Sequence, residues 1–274
     1  MQRSQDEMAK ANGKIIGAAT QANVRYLKSL KDKDWESPTG CEDWNIRRLA
    51  EHLAGGSANY SAKIQEVINK RPSNVGDLKL ATLDNKALVD LMESNCMAMD
   101  AALQKTTPTQ ATTTVQMSWG SVPLANVAGT WANESVLHGW DLQIGRNPNA
   151  AIPADWAKAM IPRAEAIIGG PLADPEAAMK SEGVYLLQVS DGVGPKTITV
   201  KDGKLSLTHG AAAKPDVTIA LTADQYLRLL WGRMPLESEA KKGLLGVILR
   251  QGAKVKVTGK AKMAKNLNDI FQGI

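Results

Sequence analysis

Apolar residues recur with the period of an α-helix through the first 170 residues, and short alternating apolar segments replace them after about residue 180. The helical region predicts helices over 5–31, 45–69, 84–105, 123–146 and 154–168. Asp84 or Asn85 is the expected cap of the third helix, and Pro123 suits the first turn of the fourth. The threonine-rich stretch 106–116 is expected to form a loop or a short strand. Four long helices with modest connections favour a bundle.

The later region predicts a small mixed domain. Alternation indicates strands over 184–191, 197–207 and 216–222, with Asp202-Gly203 as a hairpin turn. Three more elements are expected at 223–232, 237–249 and 260–271, all helical, with a strand at 254–259. The fold class is therefore α+β with two domains. Its expected parts are a four-helix bundle at 1–150, a linker helix at 151–180 and an α+β domain at 181–274.

Composition and charge narrow the function classes. The chain has 274 residues, 43% of them hydrophobic, so it is long enough to bury two cores. Two cysteines are too few for a disulfide framework, and no apolar run approaches the roughly 20 residues of a membrane span. The N-terminal residues also lack the apolar stretch of a secretion signal. We therefore expect a cytoplasmic protein.

The net charge of +5 lies in the second half of the chain. Residues 1–150 hold 16 basic and 16 acidic side chains, whereas the remainder holds 17 and 12. The densest part, 241–265, has eight basic and no acidic residues, but no nucleic-acid-binding motif accompanies it. We therefore expect no nucleic-acid partner, and interpret the run as a solvated face or a field that attracts a small anion.

One stretch of the fourth helix, 131-WANESVLHGWDL-142, departs from the pattern of a buried face. Steps of three and four residues connect three apolar and then three polar side chains: Leu124, Val127 and Trp131, followed by Glu134, His138 and Asp141. At about 100° per residue these positions share one face of the helix. Burial of carboxylates costs free energy unless a partner compensates it, and a metal ion is one such partner.

His52 is the second candidate for this face. It lies between Leu49 and Leu53 on the second helix, and with Glu134 and His138 it would form a set of two histidines and one glutamate. Three protein ligands with an open fourth position are typical of catalytic zinc. The spacing also fits a hydrogen-bonded core histidine and a helix-surface Glu–His pair, so the residues alone leave these alternatives open. Asp141 would then orient a ligand or face the substrate.

Two segments resemble the mycothiol-dependent maleylpyruvate isomerase family. The segment 38-PTGCEDWNIRRLAEHLAG-55 is similar to its first signature, and 134-ESVLHGWDL-142 is similar to its second. The resemblance implies a DinB-like metal-binding four-helix bundle, with His52, Glu134 and His138 as ligands of Zn²⁺ or another divalent ion. The segments 215–234 and 254–271 look like pieces of a sterol-carrier-like domain.

The same resemblance implies chemistry with mycothiol or a similar low-molecular-weight thiol. As an isomerase, the protein would add a thiolate to a small anionic unsaturated diacid and then eliminate it. Asp141 is a catalytic candidate, and Arg228 or Arg233 would anchor the anionic substrate, facing a cleft between the domains. Two alternatives remain: a thiol S-transferase that uses mycothiol or bacillithiol on the same site, and a non-enzymatic carrier of an apolar ligand. The sequence leaves the substrate, the thiol, the metal and the oligomeric state open.

Overall fold

The computed structural model describes residues 4–41, 43–70, 75–167, 173–234 and 255–271. The chain forms two compact units, Met1–Arg146 and Asn147–Ile274. The predicted linker region 151–180 falls within the second unit. The predicted helix at 237–249 and residues 241–254 of the basic run lie outside the described residues.

The first unit is built on four long helices, as the sequence pattern predicts. In chain order its elements are α1 (Gln5–Lys28), α2 (Ile46–Asn69), α3 (Asn85–Leu103), α4 (Pro108–Thr112), β1 (Thr114–Met117), β2 (Gly120–Pro123) and α5 (Leu124–Ile144). Single 3₁₀ turns lie at Asp32–Glu36 and Leu80–Thr82. The threonine-rich stretch forms the short helix α4 and then β1, which pairs with β2 in an antiparallel hairpin.

Side-chain caps account for where the helices begin. The Asn45 side chain accepts a hydrogen bond from the backbone N–H of Arg48 at the start of α2. The Asp84 side chain accepts one from Ala87 at the start of α3, as the sequence predicts. Each cap satisfies a backbone donor that has no partner within the helix. Pro123, which has no N–H to satisfy, precedes α5.

The packing order of the bundle determines which side chains can meet. Helix α1 packs against α3 and α5, and α2 packs against the same two helices. The second and fourth long helices are therefore neighbours, although segment 70–123 separates them in the chain. Large apolar side chains fill the interior between the four helices: Ile16, Leu27, Leu49, Leu53, Met99 and Trp131.

The second unit is the expected α+β structure. Its elements among the described residues are α6 (Ala154–Ala166), α7 (Pro175–Met179), β3 (Gly183–Val189), β4 (Lys196–Lys201), β5 (Lys204–His209), β6 (Val217–Leu221), α8 (Ala223–Leu230), β7 (Lys256–Gly259) and α9 (Ala261–Ile270). The five strands form one sheet in the order β5-β4-β3-β6-β7, in which β3 and β6 are parallel and the other neighbours are antiparallel. Asp202 and Gly203 both have positive φ, 50° and 69°, as the predicted two-residue hairpin requires.

Within the described ranges, every helix is too short or too polar to cross a bilayer.

Candidate metal centre

The neighbouring faces of α2 and α5 bring the three predicted metal ligands together. Nε2 of His52 lies 3.3 Å from Oε2 of Glu134, and Nε2 of His138 lies 3.1 Å from the same oxygen. The two imidazole rings meet edge to face, with centroids 4.9 Å apart. The glutamate–histidine pair comes from consecutive turns of α5, and α2 supplies the third side chain.

The separations suit a metal ion. A tetrahedral zinc site with metal–ligand distances of about 2.0–2.1 Å places neighbouring donor atoms about 3.3 Å apart. The ligand atoms of His52, Glu134 and His138 all lie within 4.8 Å of one another. The side chains of His52 and Glu134 remain 37% and 18% exposed, so a small molecule can reach this side of the set. Donor chemistry, spacing and access therefore fit a catalytic divalent ion with an open position.

Asp141 lies behind His138. Its Oδ2 is 2.9 Å from Nδ1 of His138, and its side chain is fully buried. Because an ionised carboxylate only accepts hydrogen bonds, this contact keeps the proton on Nδ1 and leaves Nε2 as the donor atom for a metal. The carboxylate also fixes the ring orientation. Asp141 therefore lies where it can orient the imidazole of His138.

The pKa shifts show that the site favours positive charge between its ligands. Burial raises the pKa of the Glu134 carboxyl, but hydrogen bonds with His138 and His52 outweigh burial and hold the pKa well below its usual value. Burial lowers the pKa of His138, but hydrogen bonds with Asp141, Cys41 and Glu134 outweigh it and raise the pKa well above 6.5. A divalent ion bound here would replace the imidazolium proton as the positive charge.

A second possible ligand set shares His138. Ligand atoms of Cys41, His138 and Asp141 also lie within 4.8 Å of one another. The thiol of Cys41 donates to Oδ2 of Asp141 at 3.4 Å, and its sulfur lies 3.7 Å from Nδ1 of His138. This set would use the nitrogen that Asp141 already engages, and Asp141 has no exposed surface. The set of His52, Glu134 and His138 is therefore the better candidate for a catalytic ion.

The loop that carries Cys41 is held against α5 by two glycines. The backbone N–H of Gly40 donates to the carbonyl oxygen of Asp141 at 2.9 Å. A Cβ at Gly40 would collide with the Asp141 carboxylate, and one at Gly145 would collide with the carbonyl oxygen of Pro38. The sequence analysis missed this close fit, because spacing along the chain does not show which backbones touch.

Trp44 packs against His52 on the accessible side of the metal set. The ring of Trp44 lies 5.2 Å from the His52 ring, at an interplanar angle of 51°. The guanidinium of Arg48 lies 5.6 Å from the Trp44 ring centroid, within the range of a cation–π contact. Trp44 therefore supports a ligand side chain as well as the loop before α2.

The two predicted substrate anchors lie in the second unit. Arg228 is buried and makes a bidentate pair with Asp224, at 2.9 and 2.7 Å. Arg233 is also buried, and its Nη1 donates to the carbonyl oxygen of Trp231 at 2.9 Å. Their role as anchors stays a prediction.

Comparisons with known proteins agree with both halves of the predicted architecture. Residues 16–143 match the family model "Mycothiol maleylpyruvate isomerase N-terminal domain", and residues 165–272 match "SCP-2 sterol transfer family". The two domain models confirm the family resemblance.

Structural and curated relatives give the same picture. Crystal structures of a mycothiol-dependent maleylpyruvate isomerase and of its H52A mutant each share 16% identity with this chain at a TM-score of 0.56, covering 85% of this chain and 92% of theirs. This likeness shows a shared fold. Peroxisomal multifunctional enzyme A of Dictyostelium discoideum is 27% identical over 101 residues, which are 36% of this chain and 21% of that protein. The chain thus spans about a fifth of that relative.

Proposed function

We propose that the protein is a metal- and thiol-dependent enzyme. This proposal is supported by the match of residues 16–143 to the mycothiol maleylpyruvate isomerase N-terminal domain and of residues 165–272 to the SCP-2 family. Its reaction would be cis–trans isomerisation of a small unsaturated diacid. The observation that supports this most directly is the partly exposed set of His52, Glu134 and His138, with Asp141 behind it.

The three ligands would hold a divalent ion, for which zinc is the first choice given two imidazoles and one carboxylate. Such an ion would lower the pKa of a bound thiol, so that the nucleophilic thiolate is present near neutral pH. Because Nδ1–H of His138 donates to the Asp141 carboxylate, Nε2 is the nitrogen that would bind the ion. The exposed edges of His52 and Glu134 leave room for the sulfur and the substrate.

The proposed chemistry needs no net redox change. The thiolate sulfur forms a bond to one carbon of the cis double bond, and the electron pair moves into the adjacent carbonyl as an enolate. Rotation about the new single bond follows. The enolate then re-forms the double bond in the trans geometry while the C–S bond breaks, so the thiol is returned unchanged.

Metal content and product analysis together test this proposal. The protein is purified without chelator, its metal is measured by mass spectrometry, and turnover of maleylpyruvate is followed with added thiol. We expect about one zinc per chain in the wild type and loss of both metal and turnover in His138→Ala. His209→Ala is the matched control, because His209 is 70% exposed and lies in the second unit. Wild-type protein without stoichiometric metal would refute the site.

The same assay separates the transferase from the isomerase. An isomerase returns its thiol, so free thiol stays constant while product accumulates. A transferase that conjugates an electrophile consumes one thiol per turnover. Titration of free thiol during the reaction therefore decides between them.

The SCP-2 match over residues 165–272 favours a second activity for the C-terminal part, the binding of an apolar ligand. A fluorescent fatty acyl probe tests it on the full-length protein. Saturable binding that persists in His138→Ala would show that the carrier function does not require the metal set, whereas absence of binding would remove it.

A further inference from the structure

Arg48 is an exposed cation close to the metal set of His52, Glu134 and His138. It precedes His52 by four residues, so both side chains lie on one face of α2, about 6 Å apart along its axis. Trp44 contacts both side chains. Its ring centroid lies 5.6 Å from the guanidinium carbon of Arg48 and 5.2 Å from the centroid of the His52 ring. The guanidinium is therefore one aromatic ring away from a proposed metal ligand.

The neighbouring Arg47 has a structural role that Arg48 does not share. Nε of Arg47 donates to Oε1 of Glu51 at 3.0 Å and Nη1 donates to Oδ1 of Asn85 at 2.8 Å. Nη2 donates to the carbonyl oxygen of Leu83 at 2.6 Å. All three nitrogens thus hold α2 against the start of α3, and the side chain is only 20% exposed. Arg47 is therefore engaged within the bundle.

Arg48 makes a weaker contact. Its Nη1 lies 3.2 Å from Oε2 of Glu51, and its side chain is 61% exposed. An exposed ion pair of this kind contributes little to stability, so its loss costs little. Glu51 would keep its pair with Arg47 if Arg48 moved away. Arg48 can therefore exchange Glu51 for the carboxylate of a ligand without leaving Glu51 unpaired.

The direction of α2 suits an anionic ligand that extends from the metal set. In the proposed reaction the double bond of the diacid lies beside the accessible side of the set, where the His52 side chain is 37% exposed. A carboxylate that points from there toward the N-terminus of α2 would meet Arg48. A guanidinium binds a carboxylate through two parallel hydrogen bonds, and the helix dipole also favours negative charge at the first turn.

We propose that Arg48 binds a carboxylate of the substrate and thereby selects anionic over neutral cis alkenes. The proposal rests on the thiol-dependent function proposed above and assigns its substrate recognition in part to the first unit. This anchor would act in addition to the candidates Arg228 and Arg233 of the second unit.

The test uses full-length Arg48→Gln and Arg48→Lys, with Arg25→Gln as the control. Arg25 is an exposed arginine on α1, so its replacement removes the same charge elsewhere on the bundle. Turnover with mycothiol is measured for two substrates: maleylpyruvate, and dimethyl maleate, a cis alkene without a carboxylate. Calorimetric titration of the zinc-loaded protein with maleate, in the absence of thiol, measures anion binding directly. Circular dichroism and zinc content verify each variant.

We expect Arg48→Gln to raise the KM for maleylpyruvate about fivefold, near the upper end for one exposed ion pair. The kcat should not change, because a carboxylate remote from the reacting bond is bound equally in the ground state and the transition state. Arg48→Lys keeps the charge but loses the planar fork, so its KM should rise only about twofold. The KM for dimethyl maleate should be the same in every variant, and Arg25→Gln should match the wild type.

Maleate binding should show the same pattern. Its affinity should fall about fivefold in Arg48→Gln, as for one exposed ion pair. Added salt should weaken maleate binding more in the wild type than in Arg48→Gln, because salt screens the exposed charge pair.

Three results would overturn the assignment. One is a wild-type protein that does not bind maleate, or that binds it with the same affinity as Arg48→Gln. Another is an equal loss of efficiency with maleylpyruvate and dimethyl maleate. The third is loss of zinc from Arg48→Gln, which would show that Arg48 acts on the metal set through Trp44 and His52 instead of on the substrate.

Failure of the proposed function is a different outcome. Zinc-loaded protein would then show no thiol-dependent turnover with either substrate. The maleate titration still decides whether Arg48 binds a carboxylate in that case, because it requires neither thiol nor reaction.

Discussion

Replacement of Asp141 by asparagine isolates the orienting role of its carboxylate. Asparagine has almost the same shape, so the fully buried position stays filled. However, Oδ2 lies 2.9 Å from Nδ1 of His138, and an amide can present its NH₂ there instead of an acceptor. The NH₂ group would favour the tautomer with the proton on Nε2, the nitrogen that faces Glu134 and the proposed ion.

The size of the effect follows from comparable sites. Loss of a carboxylate that orients a histidine ligand lowers metal affinity about 10- to 100-fold, equivalent to about 1.4–2.8 kcal/mol. The Cys41 thiol also loses its charged acceptor, at a donor–acceptor distance of 3.4 Å. This weak contact adds little, so we expect a loss of zinc affinity near the middle of the range, about 30-fold.

Competition with a chromogenic chelator measures the zinc dissociation constant of Asp141→Asn against the wild type. Asp90→Asn serves as the control, because Asp90 lies on α3, its side chain is 45% exposed and it pairs with Lys86. Thermal unfolding of the chelated proteins separates metal affinity from fold stability. If Asp141→Asn binds zinc as tightly as the wild type, Asp141 does not orient His138 and the proposed ligand arrangement is wrong.

Three further predictions concern stability. Gly145→Ala should lower the free energy of unfolding by about 1–3 kcal/mol in urea titrations, because its methyl group would collide with the Pro38 carbonyl oxygen; wild-type stability would show that the loop moves freely. Lys196→Met should lower the free energy of unfolding by about 3 kcal/mol, because the buried carboxylate of Glu165 would lose its cationic partner; the side chains of Lys196 and Glu165 are 6% and 9% exposed. A change below about 0.5 kcal/mol would contradict a buried ion pair. In chelated protein, the raised pKa of His138 contributes stability that is complete below pH 6.5 and is lost as pH rises through the folded pKa, so unfolding free energy should fall above pH 6.5; the slope should disappear in His138→Asn.

Helix period and capping chemistry were enough to predict most of the elements. The bounds of α2, α3 and α5 depend on local signals, such as Asn45 and Asp84 as caps, and these are visible in the sequence. The end of α1 is an exception. The predicted helix continues to residue 31, but α1 ends at Lys28. There the backbone N–H of Ser29 donates to the carbonyl oxygens of Leu27 and Tyr26. Apolar periodicity alone does not detect such a turn.

The candidate site was only partly predictable. Glu134 and His138 are visible because their spacing is local to one helix, whereas His52 depends on which helices are neighbours. Periodicity places His52 on an inner helix face and lets it join Glu134 and His138, and the family resemblance favours that set over the alternatives. The fit of Gly40 against Asp141 depends on contacts between distant segments, and a single sequence does not encode these in any local pattern.

The neighbouring positions of α2 and α5 also affect the folding of the chain. His52 and Glu134 are 82 residues apart, so an ion bound by both would close a loop of that length. By the chain-entropy reasoning used for disulfides, such a cross-link restricts the unfolded ensemble by about 4.5 kcal/mol at 25 °C. The cross-link would join α2 to α5, and the closed loop would contain α3 and the β1–β2 hairpin. The ligand set would then act as a reversible cross-link of the bundle. Chelation would lower the free energy of unfolding of the first unit as well as stop the proposed reaction.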